Sequence, residues 1–191
     1  MKAVLVIDVQ NDYCHPKGLI GSVLGVDGIH SSVQKMNSFL DSMRTKELPI
    51  IHIQMTEDAE LIQETVKRIR MKNFGPKERW ELAKPGTWGY ELMLDTKDEP
   101  IFKKNTYDAF SNKGLVKHLR ELGVTELIVI GGYTHACVDA TVRSAVTNGF
   151  NVTVIRDMVG SPDALNEAHE GTLKVLGLLF ADVIDSSELE V

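Results

Sequence analysis

Leu127-Ile128-Val129-Ile130-Gly131-Gly132-Tyr133-Thr134-His135-Ala136-Cys137-Val138-Asp139-Ala140-Thr141 passes from an apolar run into a helical pattern. The run from Leu127 to Ile130 reads as a buried strand. Residues 136–148 read as a helix, which Gly149 stops. A lone thiol, Cys137, therefore stands where a buried strand becomes the first turn of a helix. Free backbone N–H groups and the positive end of the helix dipole favour thiolate over thiol there. The same N–H groups can hold a developing oxyanion. Gly131 and Gly132 permit unusual backbone angles and close approach of a substrate to the main chain. The position points to covalent catalysis.

Strand-like and helix-like segments alternate on both sides of this junction. Residues 3–8 are a continuous apolar stretch ending in an acid, as a buried parallel strand is. Residues 11–26 read as a loop broken by Gly, Pro and Asp, and 27–47 as a helix with Ile29, Val33, Met36, Phe39, Leu40 and Met43 on one face. Strands are predicted at 49–54, 100–103, 126–131, 150–156 and 181–184, and further helices at 57–70, 113–122 and 162–179. Ser161 is a fitting N-cap for the last helix, with Pro162 at its first position. Residues 71–96 read as a long irregular segment carrying Trp80, Trp88 and Tyr90. Strands separated by helices need crossover connections, hence a parallel sheet covered on both faces. The expectation is an α/β chain: a three-layer αβα, Rossmann-like fold with a mostly parallel sheet of about six strands. It is read as one domain over residues 1–191.

Composition narrows the function. A net charge of -6 with no basic block argues against nucleic acid as a partner. The longest apolar runs are too short to span a bilayer. The start, Met1-Lys2-Ala3-Val4-Leu5-Val6-Ile7-Asp8, does not read as a signal peptide, so a cytoplasmic location is expected. Two cysteines, Cys14 and Cys137, make no disulfide framework there. Neither has the paired spacing of a structural zinc site.

In open α/β sheets, ligands bind at the carboxyl ends of the strands. Asp8 ends the first strand, Lys103 and Lys104 the third, and Cys137 follows the fourth. A thiol in that place needs a proton acceptor and a cation. Asp8, after an apolar run, is partly desolvated, so its pKa rises toward that of a useful base. Either lysine can supply the charge, and alternation alone does not choose between them.

Val6-Ile7-Asp8-Val9-Gln10-Asn11-Asp12-Tyr13, Lys104-Asn105-Thr106-Tyr107-Asp108-Ala109-Phe110 and Gly132-Tyr133-Thr134-His135-Ala136-Cys137-Val138 resemble the three signature segments of the isochorismatase-like cysteine hydrolases. These include nicotinamidases, N-carbamoylsarcosine amidases and ureidoacrylate hydrolases. The resemblance implies a catalytic triad of Asp8, Lys104 and Cys137. Lys104 is chosen because the family's lysine stands six residues before its Phe, here Phe110. It also implies a cis peptide at Gly132–Tyr133 and an oxyanion hole from the N–H groups of Tyr133 and Cys137. The implied reaction is acyl transfer: Asp8 takes the thiol proton, Lys104 stabilises charge, and Cys137 attacks an amide-type carbonyl to give a thioester that water cleaves.

His135 is the rival base, but it lies two residues before Cys137 in the same turn and is read as pocket lining or loop structure. Nicotinamidases in the family carry an Asp-x-His and further histidines after strand two. Here that region is Ile51-His52-Ile53-Gln54-Met55-Thr56-Glu57-Asp58, with His52 alone inside the strand, so no metal and no cofactor are expected. His15, His30, His118 and His169 show no ligand spacing either. Gly86-Thr87-Trp88-Gly89-Tyr90-Glu91-Leu92 resembles the carbamoylsarcosine and ureidoacrylate branches and is read as a lid or wall. Gln10, Tyr13, Trp88, Tyr107 and Thr134 are the candidate substrate-binding residues, Trp80 is a buried loop anchor, and Cys14 a bystander. The expected substrate is a small amide or ureido compound, and the resemblance implies a homodimer or homotetramer. The alternatives are isochorismatase-type vinyl ether hydrolysis, which Cys137 argues against, and a catalytically silent binding protein. A nucleotide-binding module would need a Gly-rich loop after strand one, and Asp8-Val9-Gln10-Asn11-Asp12 has none.

Overall fold

The computed structural model describes residues 1–57, 62–76 and 82–191. Six parallel strands form one sheet: β1 (Lys2–Ile7), β2 (Ile50–Met55), β3 (Ile101–Lys104), β4 (Glu126–Gly132), β5 (Asn151–Gly160) and β6 (Asp182–Ile184), in the order β3-β2-β1-β4-β5-β6. Both faces are covered, which is why the central strands are apolar throughout. Ala3, Leu5 and Ile7 of β1 point into one core with Leu127 and Val129 of β4. Val4 and Val6 point into the other with Ile128 and Ile130.

The second core is closed by α3 (Asp27–Thr45), whose buried face is Ile29, Val33, Met36, Phe39, Leu40 and Met43, as its helical period predicts. It follows two short helices, α1 (Asn11–Cys14) and α2 (Gly21–Leu24), in the stretch that reads as loop. The first core is closed by α5 (Lys113–Glu121), α6 (Asp139–Thr147) and α7 (Asn166–Leu179). The helix predicted at 57–70 is α4 (Glu64–Phe74), which begins seven residues later and leaves Glu57 in the loop after β2. Residues 58–61 lie outside the described residues, as does Trp80. The segment 71–96 is less irregular than its composition suggests. It contains the end of α4, a 3₁₀ turn at Trp88–Tyr90 and an antiparallel bridge from Leu92 to Gln10. At the last helix, Ser161 caps nothing: a 3₁₀ turn, Asp163–Leu165, precedes α7. The Asp163 carboxylate instead accepts from the N–H groups of Asp27 and Gly28 at 2.9 and 3.2 Å, capping α3 from a distant part of the chain.

The strand order reverses between β1 and β4. A crevice opens at such a switch point, beyond the carboxyl ends of the two strands. Gly131 stands there with φ +117°, and a Cβ on it would lie 2.1 Å from the Ile7 carbonyl oxygen. Only glycine lets β1 and β4 approach this closely. Among the described residues no helix is long and apolar enough to cross a membrane.

Candidate active site

Asp8 is the first residue past β1, and its φ of +48° is in the left-handed region, uncommon for residues other than Gly although Asp enters it more readily than most. Main-chain bonds over-determine it: its N–H donates to the Ile53 carbonyl at 3.0 Å, and its carbonyl accepts from the Gln10 N–H at 2.8 Å. Strained backbone held in this way clusters at functional sites.

Lys104 ends the edge strand β3, opposite Met55 in register. It is buried, whereas Lys103 is exposed with its ammonium 5.8 Å from the Tyr90 ring centroid. The Lys104 Nζ lies 2.7 Å from Asp8 Oδ2 and 3.2 Å from Cys137 Sγ, and donates to the Thr106 carbonyl at 3.0 Å. One ammonium thus joins residues that follow β1 and β4. Its contact with Asp8 is close but poorly angled, so the carboxylate oxygens keep acceptor capacity.

Cys137 sits in a single π-type turn, Thr134–Val138, which carries β4 into α6. The helical structure thus begins two residues before the predicted start and with a wider turn, a feature frequent at functional sites. The Gly132–Tyr133 peptide bond is cis, where the resemblance placed it. Cys137 is partly exposed, but toward the cavity, and its sulfur is enclosed by protein.

Burial raises the Asp8 pKa; the Lys104 charge and the close polar contacts with Lys104 and Cys137 oppose this without cancelling it. Burial works to lower the Lys104 pKa, but the charges of Asp8 and Cys137 outweigh it and the net shift is upward. The Cys137 thiol is pushed up to about 12, by burial first and by the Asp8 charge, with Lys104 pulling the other way. The helix start was expected to favour thiolate over thiol, and here that influence does not prevail. The field of a helix start is overridden by burial and by an adjacent carboxylate. Near neutral pH Lys104 is therefore an ammonium and Cys137 a thiol.

Cys137 opens into a cavity of about 280 Å³. Ile20, Leu24, Ile69, Leu82, Pro162 and Leu165 give it an apolar wall. Tyr13, Tyr107 and Tyr133 also line it. The Tyr133 hydroxyl donates to the Tyr13 carbonyl at 2.6 Å, whereas the buried Tyr13 hydroxyl has no hydrogen-bond partner among the described residues. His135 lines the cavity too, with Nδ1 2.8 Å from Ser161 Oγ and its ring stacked on Tyr133. Sequence reasoning missed two lining residues, Glu57 and Arg70. Arg70 donates to Glu57 Oε1 at 2.8 Å and also pairs with Oε2, in a buried ion pair.

Three of the candidate substrate-binding residues are placed elsewhere. Gln10 is fully buried; its Oε1 accepts from the Met55 N–H at 2.8 Å, and its amide donates to the carbonyls of Met55 at 3.0 Å and Tyr90 at 2.9 Å. Nothing of it is left for a ligand. Thr134 is buried and bonds the Gly160 carbonyl and His169 Nδ1 at 3.1 and 2.8 Å. Trp88 is exposed outside the cavity, edge-on to His15. Cys14 is buried at the back of the Asp8 turn, and burial pushes its thiol up.

Among the described residues, no nicotinamidase-type ligand set gathers after β2. His52 is buried in β2 with Nε2 2.8 Å from Glu99, itself bound to Arg44. Among the described residues no group of three His, Cys, Asp or Glu side chains converges as ligands. Asp58 and Glu60 lie outside the described residues.

Comparison with known proteins gives one consistent family. Residues 2–188 match the isochorismatase domain. The chain is 30% identical over 158 residues to the uncharacterized isochorismatase family protein YddQ of Bacillus subtilis, covering 81% of this chain and 75% of that protein. It is 27% identical over 171 residues to the ureidoacrylate amidohydrolase RutB of Caulobacter segnis, covering 81% and 70%. Among solved structures, an isochorismatase-like hydrolase from Alkaliphilus metalliredigens superposes with a TM-score of 0.79 at 25% identity, covering 98% of this chain and 96% of that one.

Proposed function

The chain belongs to the isochorismatase family of hydrolases, and from that premise we propose that it is a cysteine-dependent hydrolase that cleaves the C–N bond of a small amide or ureido compound through a thioester. The observation that carries the reading is the Lys104 ammonium held 2.7 Å from Asp8 and 3.2 Å from Cys137, two residues that line a small cavity. A relative named for amidohydrolysis supports the bond type. We read residues 1–191 as one hydrolase domain.

The resting thiol is a poor nucleophile, so its proton must leave as the C–S bond forms. Asp8, a carboxylate with raised pKa, is suited to accept it. Lys104 offsets the charge on sulfur. The N–H groups of Tyr133 and Cys137, at the strand-to-helix junction, serve the tetrahedral oxyanion. Collapse expels the amine, which takes the proton from Asp8, and leaves the acyl group on sulfur. Asp8 then deprotonates water, which attacks the thioester; the acid departs and sulfur recovers its proton. One water is consumed, and one acid and one amine are formed. Tyr13 and Tyr107 border the substrate's place.

The test is a panel assay for ammonia or amine release from simple amides and ureido compounds, with mass spectrometry of the quenched enzyme. The expected result is turnover with an acyl adduct on Cys137. Turnover that survives Cys137→Ala would overturn the reading.

A further inference from the structure

The cavity pairs its charges. Asp8 faces Lys104 at 2.7 Å. Glu57, 3% exposed, pairs with Arg70, 7% exposed, through both carboxylate oxygens, with a hydrogen bond to Oε1. Arg70 also reaches the Tyr107 hydroxyl at 3.4 Å, and its guanidinium lies 6.0 Å from that ring's centroid. The other wall side chain able to carry positive charge, His135, has its pKa lowered by burial and is neutral near pH 7. Among the described residues, therefore, two buried carboxylates meet two buried cations, and no net positive charge faces the cavity.

An arginine in a substrate cavity is ordinarily an anchor for a carboxylate, which its planar fork grips with two hydrogen bonds. Here Glu57 already occupies that fork. A carboxylate-bearing substrate entering beside it would place an uncompensated anion among apolar side chains and close to Glu57, and burying an unpaired charge is costly. A neutral amide or ureido group incurs no such penalty. The unpartnered Tyr13 hydroxyl in the wall is a ready donor or acceptor for it.

We infer that Glu57 is a specificity-determining residue: by occupying the Arg70 guanidinium in the cavity wall, it selects uncharged substrates against those that carry a carboxylate. The inference rests on the hydrolase reading only in taking this cavity as the substrate site.

Binding of benzamide and benzoate, measured by calorimetry on the full chain carrying Cys137→Ala, tests it without turnover. Benzamide is expected to bind at least tenfold more tightly than benzoate. Adding Glu57→Gln removes the anion paired with the Arg70 guanidinium and should narrow or invert that ratio by at least tenfold. Adding Arg70→Gln bares Glu57 and should widen it, which decides the matter if the Glu57 variant does not fold. Equal binding of the two probes, binding of neither, or a ratio that neither substitution moves in its stated direction would overturn the inference. The hydrolase reading fails separately: an enzyme with Cys137 intact that turns over no C–N substrate would refute it whatever the binding ratio.

Discussion

The Lys104 ammonium and the Asp8 carboxylate form an ion pair sealed from solvent, with side-chain exposures of 0% and 2%. Removing one partner of such a pair strands the other, at about 3–5 kcal/mol. Lys104→Met should therefore destabilise the protein by about that amount in urea unfolding. Combining it with Asp8→Asn should recover most of the stability and none of the activity. A single Lys104→Met variant as stable as the parent would show that the pair contributes nothing to folding.

The pH profile follows from the same pair. Asp8 acts in its carboxylate form, and burial raises its pKa. Protonation on acidification removes the base, so kcat/KM should fall as pH drops through a value above the ordinary carboxylate pKa of about 4. The Cys137 thiol at about 12 and the raised Lys104 place the opposite limb well on the alkaline side. His135→Ala should leave the acid limb where it is; a limb that disappears in that variant would make His135 the base.

The two thiols should behave differently toward iodoacetamide. Cys137 opens to the cavity beside an ammonium, whereas Cys14 is fully buried. Peptide mapping after brief alkylation of the native protein is expected to find the label on Cys137 alone, with activity lost in proportion. Cys137→Ala should lower kcat by ~1,000-fold or more, while Cys14→Ala leaves it within about twofold.

Gln10→Ala should act on stability. It unpairs the buried N–H of Met55 and removes bonds to two carbonyls, a loss of about 2–3 kcal/mol. Thermal unfolding and KM, measured together, check it: a lower Tm with KM changed by less than about threefold is the expected pair. An unchanged Tm with a large rise in KM would return Gln10 to the substrate.

The alternation of strands and helices, and the acid, lysine and cysteine at three strand ends, were legible because buried parallel strands are apolar from end to end. Residues that break such runs stand at the ligand edge. What was not legible is where polar side chains beside the site point. Gln10 and Thr134 look like substrate ligands in sequence, but buried main-chain groups around a tight turn demand partners and take both. Glu57 and Arg70 were hidden because the stretch between them reads as one polar helix, whereas a later helix start separates them and lets Arg70 fold back. The helix start's pull toward thiolate is visible in sequence, but the depth of the sulfur that overrides it is not.

The edge strand that delivers the ammonium carries two lysines in succession, and only pairing decides which one is inside. Lys104 stands opposite Met55, and Lys103 opposite Gln54. A slip of one residue exchanges the two faces of a strand. Sliding β3 by that step would seat Lys103 opposite Met55 and put a second lysine where Lys104 now stands. The strand thus holds a spare cation against its own misalignment, at an edge of the sheet paired on one side only.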